Sequence, residues 1–307
     1  MSYKIVFFDI DGTLLDEDKR VPEDTRQAIA ELKKRGIEPV IATGRAPYFF
    51  KWLLDELGIE SFVSLNGGYV VYKGKELYDR KIPIGDLEKL VELSGRAGHP
   101  LVFQGKAAYN TNHENHAGVW TAVDTLKVER PGFNADYWRE EGIYQVFLHC
   151  TDGEESAYMP ELPGLRFIRW HPHALDVLPH TGSKAEGIQA MLDTLGIPLE
   201  EAVAFGDGLN DKEMLEVVGL GIAMGNSYPE LLPYADYVTA RADAGGIRQG
   251  LVYAGCLPGQ PEGGAEGAQG RRVADADNGI AAEAAEGESE GTPDRAALVP
   301  ESGRATV

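Results

Sequence analysis

The sequence predicts an α/β protein: a doubly wound parallel-sheet core into which a separate α+β domain is inserted. Two observations carry this. Short apolar runs alternate with helix-period segments over residues 4–68 and again over residues 185–239. Strands that alternate with helices pair in parallel, because each crossover returns the chain to the same end of the sheet. Between those blocks, from about residue 83 to residue 180, one helical segment is followed by several strands in succession, which is the texture of an α+β unit.

Taken in order, residues 4–8 read as a buried strand, and Ala28, Ile29 and Leu32 recur at helical intervals until Gly36 ends the helix. Residues 39–42 give a second strand, 46–57 an amphipathic helix, and 61–65 a third strand ending at Asn66, Gly67 and Gly68. In the insert, Leu87, Leu90 and Val91 suit a helix, whereas 101–103, 143–149, 165–170 and 174–178 suit strands. The core pattern resumes with helices over 185–195 and 212–218 and strands over 202–205, 221–224 and 237–239. The expected division is a core of residues 1–82 and 181–254 around an insert of residues 83–180. From 255 to 307 the chain runs through PEGGAEGAQG and AAEAAEGESEG. Burial there cannot offset the entropy of ordering, so a disordered, solvating acidic tail is expected.

The formal charge of −20 disfavours nucleic acid and anionic membrane as partners, since both are repelled before contact. An anionic substrate therefore needs a local cation. Cys150 and Cys256 are too few for a disulfide framework or a cysteine-rich zinc site, and suit a reducing cytoplasm. The N-terminus reaches Asp9 after a short apolar run and reads as neither signal peptide nor membrane span. A cytoplasmic location is expected, and the oligomeric state is left open.

The chemistry gathers at strand ends. VFFDIDGTLLD closes the first strand on Asp9 and Asp11, and in α/β sheets ligands bind beyond the carboxyl ends of the strands. Two neighbouring carboxylates are tolerable beside a divalent cation, and useful if their environments leave one ionised and one protonated. One then attacks while the other donates a proton. A calcium loop does not fit, because Thr13 and Leu14 stand where an acid or amide and a glycine are required. In VIATGR the second strand stops at Thr43, whose hydroxyl and following N–H groups can hold a phosphate oxygen, with Arg45 as a charged fork. In TGSKAEG, Ser183 and Glu186 form a capping-box pattern and put Lys184 in the first helical turn. A cation there opposes the helix dipole unless a phosphate sits beside it. VAFGDGLND ends another strand in Asp207 and soon adds Asn210 and Asp211, with a glycine spacing that is no dinucleotide fingerprint. Turn and cap roles would explain one of these acids. They do not explain the convergence of four carboxylates, a threonine and a lysine on one sheet edge.

In order and context, DIDGTLLD, the Thr43 strand end, Lys184 and GDGLND resemble the four motifs of the haloacid dehalogenase superfamily of phosphatases. SLNGGYV and GIAMGNSYPELLPYADYVT resemble its Cof-type branch, whose cap is inserted between the second and third motifs. The resemblance covers about residues 3–250 and not the tail. It implies an Mg²⁺-dependent phosphatase acting on a small phosphorylated metabolite, a sugar phosphate or a cofactor phosphate, through an aspartyl-phosphate. It makes Asp9 the nucleophile and Asp11 the general acid and then base. Thr43 and Lys184 hold the phosphoryl oxygens, with Gly12, Gly44 and Asn210 as further phosphate contacts and Arg45 and Asn66 facing the substrate. Mg²⁺ is held by Asp9, the Asp11 carbonyl and Asp207, with Asp211 supporting it directly or through water. A phosphomutase and a non-catalytic phosphometabolite sensor are the alternatives.

Two histidine pairs, His113 with His116 and His171 with His173, lack a full ligand set and are expected to be ordinary cap residues. Trp120, Tyr137, Trp138 and Trp170 are expected in the core without a site role.

Overall fold

The computed structural model describes residues 3–259. In chain order the first block is β1 (Ile5–Phe8), α1 (Glu23–Lys34), β2 (Glu38–Ala42), α2 (Pro47–Leu57), β3 (Phe62–Ser64), β4 (Tyr69–Tyr72) and β5 (Lys75–Asp79). Next come α3 (Ile84–Ala97), β6 (Leu101–Gln104), β7 (Tyr109–Thr111), α4 (Ala117–Val123), β8 (Gly132–Phe133), α5 (Tyr137–Glu140), β9 (Gln145–Leu148), β10 (Leu165–His171) and β11 (Ala174–Pro179). The chain returns through α6 (Lys184–Leu195), β12 (Ala202–Gly206), α7 (Lys212–Val217), β13 (Leu220–Ala223), β14 (Tyr237–Val238) and α8 (Gly246–Tyr253).

The large sheet runs β14-β13-β12-β1-β2-β3-β4-β5. It is parallel from β14 to β3, and β4 and β5 add an antiparallel hairpin at one edge. The parallel core was legible, but the hairpin is a departure from it. Period-two alternation sorts the strand side chains. Val6 and Phe8 pack with α1, α2 and α8, whereas Ile5 and Phe7 pack with α6 and α7. Helix α1 buries Thr25, Ala28, Ile29 and Leu32 and carries Glu23 and Asp24 in its first turn and Lys33 and Lys34 in its last. That arrangement serves both the apolar stripe and the dipole. From β1 the chain proceeds one way to β2 and β3, and from β12 the other way to β13 and β14. The reversal leaves a crevice at the carboxyl ends of β1, β2 and β12.

The second sheet, β10-β11-β9-β6-β7-β8, is antiparallel apart from β7 with β8. All its strands come from the predicted insert, and from this membership we infer an insert of residues 83–180. One of its faces, with Leu101, Phe103, Val146, Leu148, Leu175 and Val177, packs on Leu87 and Leu90 of α3. The described residues belong to one compact unit, and no helix among them is long and apolar enough to cross a membrane.

Three expectations change. The third strand ends at Ser64 because Leu65 and Asn66 take left-handed backbone at φ 52° and 50°. The reciprocal capping box does not form. Ser183 Oγ accepts from the Glu186 N–H at 3.2 Å, but the Glu186 carboxylate instead takes Arg80, Tyr78 and Thr181. The tail cannot begin at residue 255, since Cys256 and Leu257 are buried in the core beside Leu251. The Cys256 and Leu257 N–H groups both reach the Leu251 carbonyl. Composition averaged over a glycine-rich segment hides two buried residues. From residue 260 onward the predicted tail lies outside the described residues.

Candidate active site

β1 delivers Asp9 to the crevice and holds it there, its N–H donating to the Phe205 carbonyl at 3.0 Å. Lys184, from the first turn of α6 and 1% exposed, donates to Asp9 Oδ1 at 2.5 Å and to Asp211 Oδ1 at 2.6 Å. Its carbon stem is packed, and its charge is spent between two carboxylates. Burial lowers the Lys184 pKa, but Asp211 and Asp9 outweigh it and hold the ammonium above its ordinary value. The Asp211 Oδ2 accepts from the N–H groups of Asp207 and Gly208, each at 2.9 Å. Asp211 thus braces the loop that carries Asp207, while Thr13 Oγ1 donates to Asp207 Oδ1 at 2.9 Å.

The second aspartate is held differently. Arg45 grips Asp11 with Nε on Oδ2 at 2.6 Å and Nη2 on Oδ1 at 2.8 Å, and Lys19 adds Nζ on Oδ1 at 2.6 Å. Burial works to raise this carboxyl, but Arg45 and Lys19 prevail and keep it below its ordinary range. Asp9 is pushed up to about 7 by burial, with Asp211 and Asp11 adding repulsion against the pull of Lys184. Asp207 rises to about 8 by burial and by the charges of Asp9 and Asp211. The two aspartates of the opening motif are therefore split by environment, but in the sense opposite to their expected roles: the expected nucleophile Asp9 is raised and the expected acid Asp11 is lowered.

A cavity of about 700 Å³ opens here. Asp9, Asp11, Gly12, Thr43, Gly44 and Arg45 line it from one side of the switch point, and Asp207 and Asn210 from the other. Asn66, Lys184 and Asp211 are buried behind that surface. Gly12, at φ +78°, leaves room for Asp207, whose Oδ2 would lie 2.2 Å from any added Cβ. Thr43 Oγ1 accepts from the Arg45 N–H at 3.1 Å. Asn66 joins three elements: its Nδ2 donates to Gln145 at 2.8 Å and Asp176 at 3.1 Å, and its Oδ1 accepts from Asn210 at 3.1 Å.

Asp9, Asp207 and Asp211 each offer a carboxylate oxygen within 4.8 Å of the others. Among the described residues Lys184 is the one cation in contact with this triad, and burial, with repulsion among the acids, raises two of them. A hard divalent cation takes oxygen ligands and relieves such repulsion, so the donor set fits one.

Several site residues were not singled out from the sequence. Lys19 stands outside the motif and reaches Asp11 through the turn that follows it. Asn226 donates to the Gly12 carbonyl at 2.8 Å and accepts from the Ala242 N–H at 2.9 Å, and the GNS stretch containing it could have marked it. Trp170, expected in the core, lines the cavity instead, as do Gln104, Gln145 and Asp176 of the second sheet. The paired histidines meet edge to face for His113 with His116, 5.6 Å apart, and tilted for His171 with His173, 5.7 Å apart. Among the described residues they form no three-ligand cluster.

Comparison with known proteins agrees with this geometry. The sequence profile of the haloacid dehalogenase-like hydrolases matches residues 6–251. The Bacillus subtilis (strain 168) protein named "Putative phosphatase YkrA" is 41% identical over 257 residues, covering 84% of this chain and all of its own. A solved structure from Geobacillus kaustophilus HTA426 superposes with a TM-score of 0.79 at 44% identity, over 83% of this chain and 100% of the other. The subclass IIB sugar phosphatase BT4131 does so with a TM-score of 0.74 at 30% identity, again over 83% and 100%. The chain, with its split aspartate pair at the switch point of the sheet and its cap-like second sheet, belongs to the haloacid dehalogenase-like hydrolases.

Proposed function

We propose that the protein hydrolyses a small phosphate monoester through an aspartyl-phosphate on Asp9, with Mg²⁺ as its divalent cation. The observation that carries this reading is the Lys184 clamp, which engages Asp9 Oδ1 and leaves Oδ2 to attack phosphorus. The Oδ2–P bond forms as the ester O–P bond breaks, and the departing oxygen takes a proton from Asp11. Asp11 then removes a proton from water, which attacks phosphorus, breaks the P–Oδ2 bond and releases inorganic phosphate. In its clasp with Arg45 and Lys19 Asp11 is ionised. An arriving phosphoryl dianion offers the Arg45 fork a second partner, and the exchange lets Asp11 take up from solvent the proton it donates, which the attacking water replaces in each later turnover.

Thr43 and Gly44 border the same space and suit the phosphoryl oxygens. Asp9 and Asp207, with the Asp11 carbonyl, would hold Mg²⁺. Asp211, both of whose oxygens are engaged, supports them through Lys184 and the loop backbone. When bound, the cation supplies charge neutralisation for the transferring phosphoryl group. The names of relatives, among them a sugar phosphatase and a phosphatase of a phosphoribitylamino-uracil, support a small-metabolite ester as substrate.

The test is phosphate release by the purified chain from a panel of phosphorylated metabolites, with Mg²⁺, after chelation, and after Mg²⁺ is restored. Release that stops on chelation and returns with Mg²⁺ is expected. Isomerised ester in place of free phosphate would make the protein a mutase, and no turnover of any ester would make the site a sensor.

A further inference from the structure

The cap sheet has one apolar face and one mixed face. Leu101, Phe103, Val146 and Leu148 point into the apolar core beneath α3. The alternate positions point the other way, because side chains along a strand alternate. Gln104 on β6 pairs directly with Gln145 on β9, and Phe147 pairs with Asp176 on β11. All four line the 700 Å³ cavity opposite Asp9. Val102 and Phe147 on this face pack with Val119 and Val123 of α4, and beside them the sheet presents two carboxamides and a carboxyl to the cavity.

Their hydrogen bonding is unfinished. Gln104 is 1% exposed, and neither its Nε2 nor its Oε1 has a protein partner. A buried amide without partners costs on the order of 1–3 kcal/mol per group, so its place on a cavity wall calls for a ligand. Asp176 keeps some accessible surface, yet it lies deep enough that burial pushes its carboxyl up to about 7, against the pull of Asn66 and Trp170. Its Oδ2 accepts from Asn66, and the Trp170 indole N–H favours its ionised form, so the unpartnered group on this wall is the Gln104 carboxamide.

The charges around these groups narrow the ligand. Of the cap residues that line this cavity, Asp176 is the single charged one. Lys127 and Arg130 line an adjoining cavity of about 600 Å³ that shares Lys19, Arg45, Leu126 and Val128 with this one, and Arg130 is engaged there by Asp124. The core cations are already engaged, Arg45 and Lys19 by Asp11 and Arg241 by Glu17 and Asp243. Among the described residues that line this cavity, a second anionic group on the substrate would meet a carboxyl and no unpaired cation. The polar groups stand on three adjacent strands, each about 4.8 Å from the next. That spread suits hydroxyls distributed along a molecule better than the single polar edge of a planar heterocycle. A hydroxyl both donates and accepts, as a carboxamide does.

We propose that Gln104, Gln145 and Asp176 form the leaving-group subsite, and that it selects an uncharged, polyhydroxylated alcohol over one bearing a second anionic group. This rests on the phosphatase reading of the same cavity.

Sorbitol 6-phosphate and 6-phosphogluconate test it, since they differ by a terminal hydroxymethyl against a carboxylate, with phenyl phosphate as the reference ester. With the full chain and Mg²⁺, kcat/KM for sorbitol 6-phosphate should exceed that for 6-phosphogluconate by about tenfold or more. Gln104→Leu should lower the ratio of sorbitol 6-phosphate to phenyl phosphate turnover by about tenfold without lowering Tm, because it removes an unpaired buried amide. Asp176→Asn should narrow the preference over 6-phosphogluconate at least threefold. Equal rates for the matched pair, equal loss of both esters in Gln104→Leu, a lowered Tm in that variant, or an unchanged preference in Asp176→Asn would each overturn the assignment. Wild-type turnover of phenyl phosphate without the preference leaves the phosphatase reading standing and the subsite refuted. No turnover of any ester refutes both.

Discussion

An amide at position 11 would keep the shape of Asp11 and an acceptor for Arg45 while removing the proton it is proposed to donate. That proton matters most when the departing oxygen is strongly basic, as in a sugar alkoxide, and least for a stable phenolate. In single-turnover measurements Asp11→Asn should slow phosphorylation of the enzyme about a hundredfold or more with an alkyl phosphate. With p-nitrophenyl phosphate the loss should be far smaller. Steady-state rates hide the difference if dephosphorylation, where Asp11 activates water, limits both. The same fractional loss for both esters would leave Asp11 as a positioning residue for Arg45 and Lys19.

Helix α6 can put Lys184 beneath Asp9 only because two glycines let it sit on the turn after β3. A Cβ at Gly67 would lie 1.9 Å from the Ser183 carbonyl oxygen, and one at Gly187 would lie 2.6 Å from Val63 and 2.8 Å from the Gly67 Cα. Gly187→Ala should therefore destabilise the protein by about 1–3 kcal/mol and lower kcat as the helix lifts Lys184. Gly95→Ala on α3, where nothing lies within 4 Å, should raise Tm slightly. Unchanged Tm and kcat in Gly187→Ala would show that this contact does not place the lysine.

At this scale the sequence was readable where chemistry follows a strand end. Asp9, Thr43 and Asp207 each close an apolar run, so topology alone brings them to one edge. The edge strand β5 was not readable, because Lys75–Asp79 is largely exposed and has no apolar run to announce it. Gln104, Gln145 and Asp176 were not readable either. They are ordinary polar residues on three separated strands, and only sheet register assembles them.

For the molecule as a whole, the cap carries a pH liability at the end of β9. His149 is 4% exposed, and burial first, then His116 and His171, depress it to about 4. The unfolded chain takes up this proton near pH 6.5 and the folded one does not. The contribution is therefore intact above about pH 6.5 and is lost as pH falls toward 4, amounting to about 3 kcal/mol when complete. Chemical unfolding at pH 7 and pH 4.5 should show this loss in the wild type and a clearly smaller one in His149→Gln. Equal losses in both would place the acid sensitivity elsewhere.

The central claim is that Asp9 carries the phosphoryl group. Wild-type protein mixed with Mg²⁺ and phenyl phosphate, trapped with hydroxylamine and digested, should yield by mass spectrometry a hydroxamate at Asp9 and nowhere else. Asp9→Asn should show neither the adduct nor measurable turnover, because an amide is a poor nucleophile and a weaker cation ligand. Turnover by the wild type with no adduct at Asp9, or turnover that survives Asp9→Asn, would contradict the account.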